Sequence, residues 1–380
     1  MSNRTETHPA RWRLWSMALS LAALLPTAAS SADHAGQLYL DYAEVPLITR
    51  HAGAHQWMVV QSYMRVHVDI AQLKAANPGM RVFMYFETAG AYDLPPSEEP
   101  WPSGVSYRWV KANRPEWIVK DRAGRPITFW GGELYLYDVG NKAYQDEWAR
   151  RAIDYAKTGG FDGVFADDVN MGESFRSTGW SGTSPKYPTD LSWTQATESF
   201  LNNVAPKLRA AGIALLPNVA SAWNSDRATQ VRWAKIAGAY AREHYQSWPN
   251  GDAPGEYDPN KGLLGGADWA WMSALHRDIV AARVPFYAFP HAGGWQAIDK
   301  MRYTRASYLL WYDPALAGGY AYATGGGPHT GQDPYNAAWN FDLGAPTGPA
   351  VQRSSGVWAR SFARGTVVVD SNTKTATVTP

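Results

Sequence analysis

Apolar positions along the chain switch repeatedly between a two-residue period and a three-to-four-residue period, the pattern of strands followed by amphipathic helices. Trp57-Met58-Val59-Val60-Gln61 reads as a first strand, and Asp69 to Asn77 as a helix stopped by Pro78-Gly79. Arg81 to Glu87 reads as a second strand. A long loop rich in Pro, Trp and Tyr follows, and Leu134 to Val139 reads as a third strand. Lys142 to Thr158 predicts a helix ended by Gly159-Gly160. Phe161 to Asp167 is strand four, with its helix over Trp193 to Ala211; Ile213 to Asn218 is strand five, with its helix over Asp226 to Ala237. Ala239 to Tyr245 is strand six, followed by a helix from Asp268 to Arg283. Val284 to Phe289, a helix from Ile298 to Tyr312, and Gly318 to Ala323 complete the series.

Eight such units over about 270 residues fit an α/β protein of the (β/α)8 TIM-barrel type. No Gly-rich phosphate loop follows any strand, which counts against a doubly wound open sheet. Beyond the barrel come three short strands, Val357 to Phe362, Thr366 to Asp370 and Thr375 to Thr379, separated by Arg364-Gly365 and Ser371-Asn372 turns. They predict a small C-terminal antiparallel β appendage (346–380) packed on a barrel of residues 33–345.

The first 32 residues have a different character. Arg4, Arg11 and Arg13 precede an apolar stretch from Leu14 to Leu25, Pro26 breaks it, and Ser30-Ser31-Ala32 supplies small residues for cleavage. This is the layout of a signal peptide over 1–32, which predicts a secreted or periplasmic protein. About 12 apolar residues are too few for a membrane span, and no later segment is longer. The chain has no cysteine, which excludes disulfides, thiol nucleophiles and iron–sulfur clusters. With 35 basic and 34 acidic residues it lacks the basic excess of a nucleic-acid binder. Nothing in the sequence indicates an oligomeric state. The 19 Trp and 21 Tyr do change the picture. Each offers a flat apolar face with one polar atom, which suits the C–H faces of sugar rings.

Barrel enzymes carry their chemistry at the C-terminal ends of the strands. The acids predicted there are Glu87, Asp138, Asp167, Asp168 and Glu243. Glycoside hydrolysis requires two carboxylates across the scissile bond, whereas no HExxH, P-loop or GxSxG motif is present. Asp162-Gly163-Val164-Phe165-Ala166-Asp167 resembles the fourth-strand D-G-x-x-x-D pattern of retaining barrel glycosidases, whose final Asp is the nucleophile. Strand alternation puts Asp167 and Asp168 on opposite faces, so only one is expected to enter the barrel mouth, and the spacing favours Asp167. Glu243, in Arg242-Glu243-His244-Tyr245, is costly inside an apolar strand unless paired, for instance with Arg242, or functional. It is the candidate general acid/base, and Tyr245 is expected to line the substrate site.

A wider resemblance rests on Leu73-Lys74-Ala75-Ala76-Asn77-Pro78-Gly79, on Pro115-Glu116-Trp117 with Asp121 and Gly124, and on Asp138-Val139-Gly140-Asn141 with Tyr144. It continues through Phe161 to Val169 and the tail from Gly356 to Val369. In these stretches the chain resembles hypothetical glycosyl hydrolase family 15, from about residue 55 to the end. The resemblance implies a barrel, an acidic site on strands four and six, and a carbohydrate substrate. The chain is similar, more distantly, to endo-acting polygalactosaminidases and to α-amylase-type barrels. It departs from the latter in having Phe165 at the strand-four arginine position and Pro217-Asn218, without a Glu, at the end of strand five.

Supporting residues follow from position. Glu87, Asp138, Asp168 and Asn218 are candidates for holding sugar hydroxyls, with loop capping as the alternative. His291 follows strand seven. Trp101, Trp109, Trp130, Trp223, Trp248 and Trp295 fall in predicted loops; Trp130, Trp248 and Trp295 are the candidate sugar platforms. His51 and His55 lack a third ligand, so neither a metal nor any other cofactor is expected. Two other readings stay open, an inverting enzyme using a different carboxylate pair such as Asp168 with Glu87, and a non-catalytic carbohydrate-binding barrel. N-terminal sequencing of the exported chain is expected to begin at Asp33, give or take a few residues; an uncut N-terminus in that fraction would contradict the signal-peptide reading.

Overall fold

The computed structural model describes residues 35–39, 55–60, 68–95, 103–172, 179–219, 226–247, 262–290, 297–316, 318–321 and 341–380. Residues 1–32, His51, Trp101, Trp223, Trp248, His291 and Trp295 lie outside them. In chain order the strands are β1 (Ala35–Tyr39), β2 (Trp57–Val60), β3 (Arg81–Glu87), β4 (Gly90–Tyr92), β5 (Thr128–Phe129), β6 (Leu134–Leu136), β7 (Gly163–Val169), β8 (Ala214–Val219), β9 (Tyr240–Glu243), β10 (Phe286–Phe289) and β11 (Gly319–Ala321). The tail adds β12 (Val351–Ser354), β13 (Val357–Phe362), β14 (Gly365–Asp370) and β15 (Thr375–Thr379).

A parallel barrel closes in the order β1, β2, β3, β7, β8, β9, β10, β11. Helices cover six of its connections: Ile70–Ala76 after β2, Lys142–Gly159 before β7, and Asp190–Ala210, Arg227–Ala237, Gly266–Ala281 and Ile298–Trp311 after β7 to β10 in turn. Their ends follow local chemistry. Asn141 caps the amides of Ala143 and Tyr144, Thr189 and Ser192 form a capping box, and Gly160 and Gly238 end their helices in the left-handed region.

Two strand expectations need correction. Leu134–Leu136 is a strand, but it pairs antiparallel with β4 and β5 in a separate three-stranded sheet. In the barrel, β3 pairs directly with β7, with Glu87 opposite Asp167. Alternating hydrophobicity identifies a strand and not its partner, so a strand of the insertion takes a place that belongs to β1, which is absent from the sequence reading. The tail is the expected antiparallel sheet with one strand added at its edge, in the order β12-β13-β14-β15. It is fastened to helix Ile298–Trp311 by the Arg360 guanidinium, which donates to the carbonyls of Leu309, Leu310 and Tyr312.

Among the described side chains, the barrel interior is filled by one face of β2, β3 and β7 to β10: Trp57 and Val59, Phe83 and Tyr85, Phe165, Leu216, Ala241, and Tyr287 with Phe289. These side chains recur every second residue, as a pleated strand requires. Continuing that count by two beyond Tyr85, Phe165, Leu216 and Ala241 gives Glu87, Asp167, Asn218 and Glu243, four polar residues above an aromatic plug. Gly163 keeps the lower end of β7 close-packed, since a Cβ there would stand 2.7 Å from the Ala214 carbonyl and 2.8 Å from the Phe83 ring. The neighbouring Asp162 carboxylate accepts from Val82 N at 2.7 Å and pairs with Lys74.

Outside the barrel, Trp148 anchors helix Lys142–Gly159 to β3. It is fully buried, packs on Phe86 and Phe200 at 5.2 and 5.0 Å, and donates its indole N–H to the Glu87 carbonyl at 2.8 Å. Trp148→Ala is expected to lower stability by about 3–5 kcal/mol in denaturant titration, and Trp148→Phe, which keeps most of the packing and loses the hydrogen bond, by about 1–2 kcal/mol. No loss in Trp148→Phe would show that the hydrogen bond contributes nothing, and a loss equal to that of Trp148→Ala would contradict packing as the larger share.

Candidate active site

Two of the four polar residues of the mouth, Asp167 and Glu243, are joined by a third, Asn218. Asn218 is fully buried at the end of β8, and its amide nitrogen donates to Asp167 Oδ1 at 2.8 Å and to Glu243 Oε2 at 2.7 Å. Its amide oxygen accepts from the Glu243 backbone N–H at 3.2 Å, which fixes the orientation of the amide. Because a single nitrogen reaches both carboxylates, the two oxygens lie no farther apart than the sum of the bonds, about 5.5 Å. Asp167 receives two further donors, the backbone N–H of Asp168 at 2.8 Å and the hydroxyl of Tyr85. The single Tyr85 hydroxyl hydrogen is shared between Asp167 and Glu87 Oε2, the latter 3.2 Å away, and burial with the nearby Asp167 and Glu87 charges holds the phenol protonated.

The electrostatics oppose full ionisation. Part of the Asp167 surface faces the mouth, yet protein surrounds the carboxyl densely. Desolvation first, then the charges of Asp168 and Glu243, push its pKa up to about 7 against the pull of Tyr85 and Asn218. Glu87, Asp167 and Asp168 each present an oxygen within 4.8 Å of the others. Among the described residues this is the one group with the donors for a metal ion; a shared proton relieves the same repulsion.

Asp168 was expected on the opposite face from Asp167. The register between β7 and β8 shifts between Ala166 and Val169, and Asp168 takes a φ of 54°. This bulge adds a residue to the strand and turns the second carboxylate toward the mouth as well. Asp168 Oδ2 accepts from the indole N–H of Trp130 at 2.9 Å. Glu87 is fully buried and accepts from Tyr85 and from Ala89 N at 2.9 Å, so it braces the site from below.

Other expected residues go elsewhere. Asp138 follows β6, outside the barrel, with its carboxylate held by Tyr187 and Lys186; it anchors the 184–187 loop. Tyr245 is fully buried, hydrogen-bonds His276 Nδ1 at 3.1 Å and packs on Phe286. The positive φ of His244, 57°, ends the strand alternation and turns Tyr245 into the layer behind the barrel, so it does not line a substrate site. Trp109 sits on helix Tyr107–Asn113 under the Arg151 guanidinium and against Trp117, a packing role. Arg242 donates to the Val219 carbonyl. Tyr85 escaped sequence reasoning, although it lies two residues before Glu87 on the same strand face. His244, whose Nε2 is 3.8 Å from Glu243 Oε1, was also missed. A cavity of about 200 Å³ at the other end of the barrel, between Arg81, Ala214, Ala239 and Tyr287, lies among the strand beginnings and belongs to neither carboxylate.

A buried acid with a raised pKa penalises folding wherever the unfolded chain ionises more readily. For Asp167 the penalty is absent below the unfolded value near 3.8, grows as pH rises, and is complete above about 7. Asp167→Asn is therefore expected to stabilise the protein by about 2 kcal/mol at pH 8 and by nothing near pH 3.5, measured by unfolding across that range. A benefit independent of pH would contradict the raised pKa.

The chain matches the model of hypothetical glycosyl hydrolase family 15 over residues 74–366. No curated protein matches it. Among solved structures it is similar to a GH31 dextranase of Flavobacterium johnsoniae complexed with glucose, at 12% identity over 92% of this chain and 51% of that one, TM-score 0.48. It is similar also to a noncanonic maltogenic α-amylase of Thermotoga neapolitana, at 8% identity over 90% and 86%, TM-score 0.47. A third is an α-N-acetylgalactosaminidase of Bifidobacterium bifidum, at 13% identity over 88% and 51%, TM-score 0.46. The chain spans about half the length of the first and third of these. The family match covers more than half of the chain and takes in Asp167, Asn218 and Glu243: the chain belongs to hypothetical glycosyl hydrolase family 15.

Proposed function

We propose that the protein is a secreted retaining glycosidase acting on a poly- or oligosaccharide, with Asp167 as nucleophile and Glu243 as general acid/base. The observation that carries this reading is the Asn218 bridge. A carboxyl separation of about 5–5.5 Å accompanies retention, and roughly 6.5–9.5 Å accompanies inversion, which needs room for a water. A bound of about 5.5 Å between the nearest oxygens supports the former.

Asp167 attacks the anomeric carbon while Glu243 gives its proton to the departing glycosidic oxygen, and the C–O bond breaks to leave a glycosyl ester on Asp167. Glu243 then removes a proton from water, the water oxygen bonds the anomeric carbon, and the Asp167 carboxylate is released. The donors support these roles. Asn218, Tyr85 and the Asp168 amide all point hydrogens at Asp167, which favours its charged form. Glu243 is partly exposed, with a side-chain accessibility of 27%, where a leaving group and water can reach it.

One observation favours a second arrangement. With its pKa near 7, Asp167 holds a proton over much of the neutral range, as a general acid does, and exchanged roles follow if the shared proton rests there when substrate binds. Export by way of residues 1–32 and a full eightfold barrel repeat complete the proposal, the former from the sequence and the latter from the closed strand ring.

A glycan-panel hydrolysis assay tests it. Wild type is expected to release reducing ends, and Asp167→Ala and Glu243→Ala each to lose on the order of a thousandfold or more in rate. Azide is expected to form a glycosyl azide of inverted anomeric configuration with Asp167→Ala and of retained configuration with Glu243→Ala; the opposite assignment identifies the exchanged roles. Glycan binding without cleavage on a broad panel would overturn the enzyme mechanism in favour of a binding barrel.

A further inference from the structure

We propose that Asp168 is a positioning residue, whose carboxylate holds the indole of Trp130 as a sugar-stacking wall beside the Asp167–Glu243 pair. The inference rests on the glycosidase reading and assigns a subsite to it.

Trp130 is the exposed aromatic side chain of the described residues, 42% accessible where the other tryptophans are buried or partly so. It has no ring partner among them, so core packing does not account for its place. Its backbone is unusual as well. Trp130, Gly131 and Gly132 have φ of 51°, 68° and 102° in succession. Glycine adopts such values freely, and a bulky side chain does so only where its surroundings impose it. What holds Trp130 is the indole N–H···Oδ2 bond to Asp168 at 2.9 Å. Asp168 is itself at positive φ, in the bulge at the end of β7. Two strained residues, one in the turn between β5 and β6 of the inserted sheet and one on the barrel, are thus joined by one charge-assisted bond.

The consequence is geometric. An oxygen of Asp168 lies within 4.8 Å of one on Asp167, so a single carboxylate separates the indole from the proposed nucleophile. A sugar resting on the open indole face is one of the two rings that flank the cleaved bond. Tyr92, at the end of β4, lies near enough to Glu87, Asp167 and Asp168 for their charges to help raise its pKa, which puts a second aromatic residue of the inserted sheet at the same mouth. The insertion between β3 and β7 therefore carries the recognition surface and the barrel carries the acids. Asp168 has two separable effects: its charge raises the Asp167 pKa, and its oxygen fixes Trp130.

Asparagine at 168 keeps an acceptor oxygen and loses the charge; alanine loses both. We expect Asp168→Ala and Trp130→Phe each to raise KM for the best panel substrate by about tenfold, with kcat within about threefold of wild type. Asp168→Asn is expected to keep KM close to wild type while lowering the pH at which Asp167 titrates, a shift shared with Asp168→Ala. The double variant Trp130→Phe/Asp168→Ala is expected to be no worse than either single change, because both break one bond. A second readout needs no turnover. The Trp130 indole N–H resonance, identified by its loss in Trp130→Phe, is expected to exchange slowly in wild type and Asp168→Asn and fast in Asp168→Ala. Unchanged KM in Asp168→Ala and Trp130→Phe, or additive losses in the double variant, would overturn the assignment while leaving the glycosidase reading intact. Failure of wild type to cut or bind any glycan would remove the functional reading and the subsite with it.

Discussion

Three carboxylates and a fourth nearby converge on the mouth of a barrel whose interior is apolar, and the cost of gathering that charge is the constraint on which the site depends. Like charges at this spacing in a desolvated place do not all ionise near neutral pH. The fold answers with donors. The Asn218 amide nitrogen binds Asp167 and Glu243 together, Tyr85 serves Asp167 and Glu87, and Trp130 serves Asp168. Burial first, and then the repulsion that remains, appear as the raised pKa of Asp167. Asn218 suits its place because a neutral amide can bridge two acids without adding charge. A carboxylate there would add to the repulsion, and an apolar residue would remove the donor that the two acids share.

The scaffold makes this possible through the regularity of its strands. The aromatic plug of Trp57, Phe83, Phe165, Tyr287 and Phe289 closes the barrel directly below the polar layer. Edge-to-face and tilted contacts between these rings fix its shape, so the acids above cannot sink into the interior. Trp148 ties the Glu87 carbonyl from outside. The departures from regularity are local. The bulge at Asp168 and the positive φ of His244 fall just after the two proposed catalytic residues, where strain re-aims side chains that alternation would send the other way.

Much of this was legible in the sequence. Period-two runs located β2, β3 and β7 to β11 to within two or three residues, and D-G-x-x-x-D marked both ends of β7. The same parity also identifies the site: Phe83, Tyr85 and Glu87 share one face, as do Phe165 with Asp167 and Leu216 with Asn218, so the count that places the plug also places the acids and would have found Tyr85. Three things lay beyond it. Leu134–Leu136 has a strand's pattern and pairs with the insertion, because periodicity carries no information about partners. The bulge at Asp168 depends on how β7 meets β8 and not on either strand alone. Tyr245 looked like a strand-end residue at the mouth until the His244 turn sent it into the outer core.

One amide nitrogen holds Asp167 and Glu243 as a pair. A crystal structure at pH 7 would measure this most directly. Asn218 Nδ2 is expected within hydrogen-bonding distance of both carboxylates, with their nearest oxygens no more than about 5.5 Å apart. A separation beyond roughly 6.5 Å, with water between the acids and the amide turned away, would contradict it and favour an inverting site.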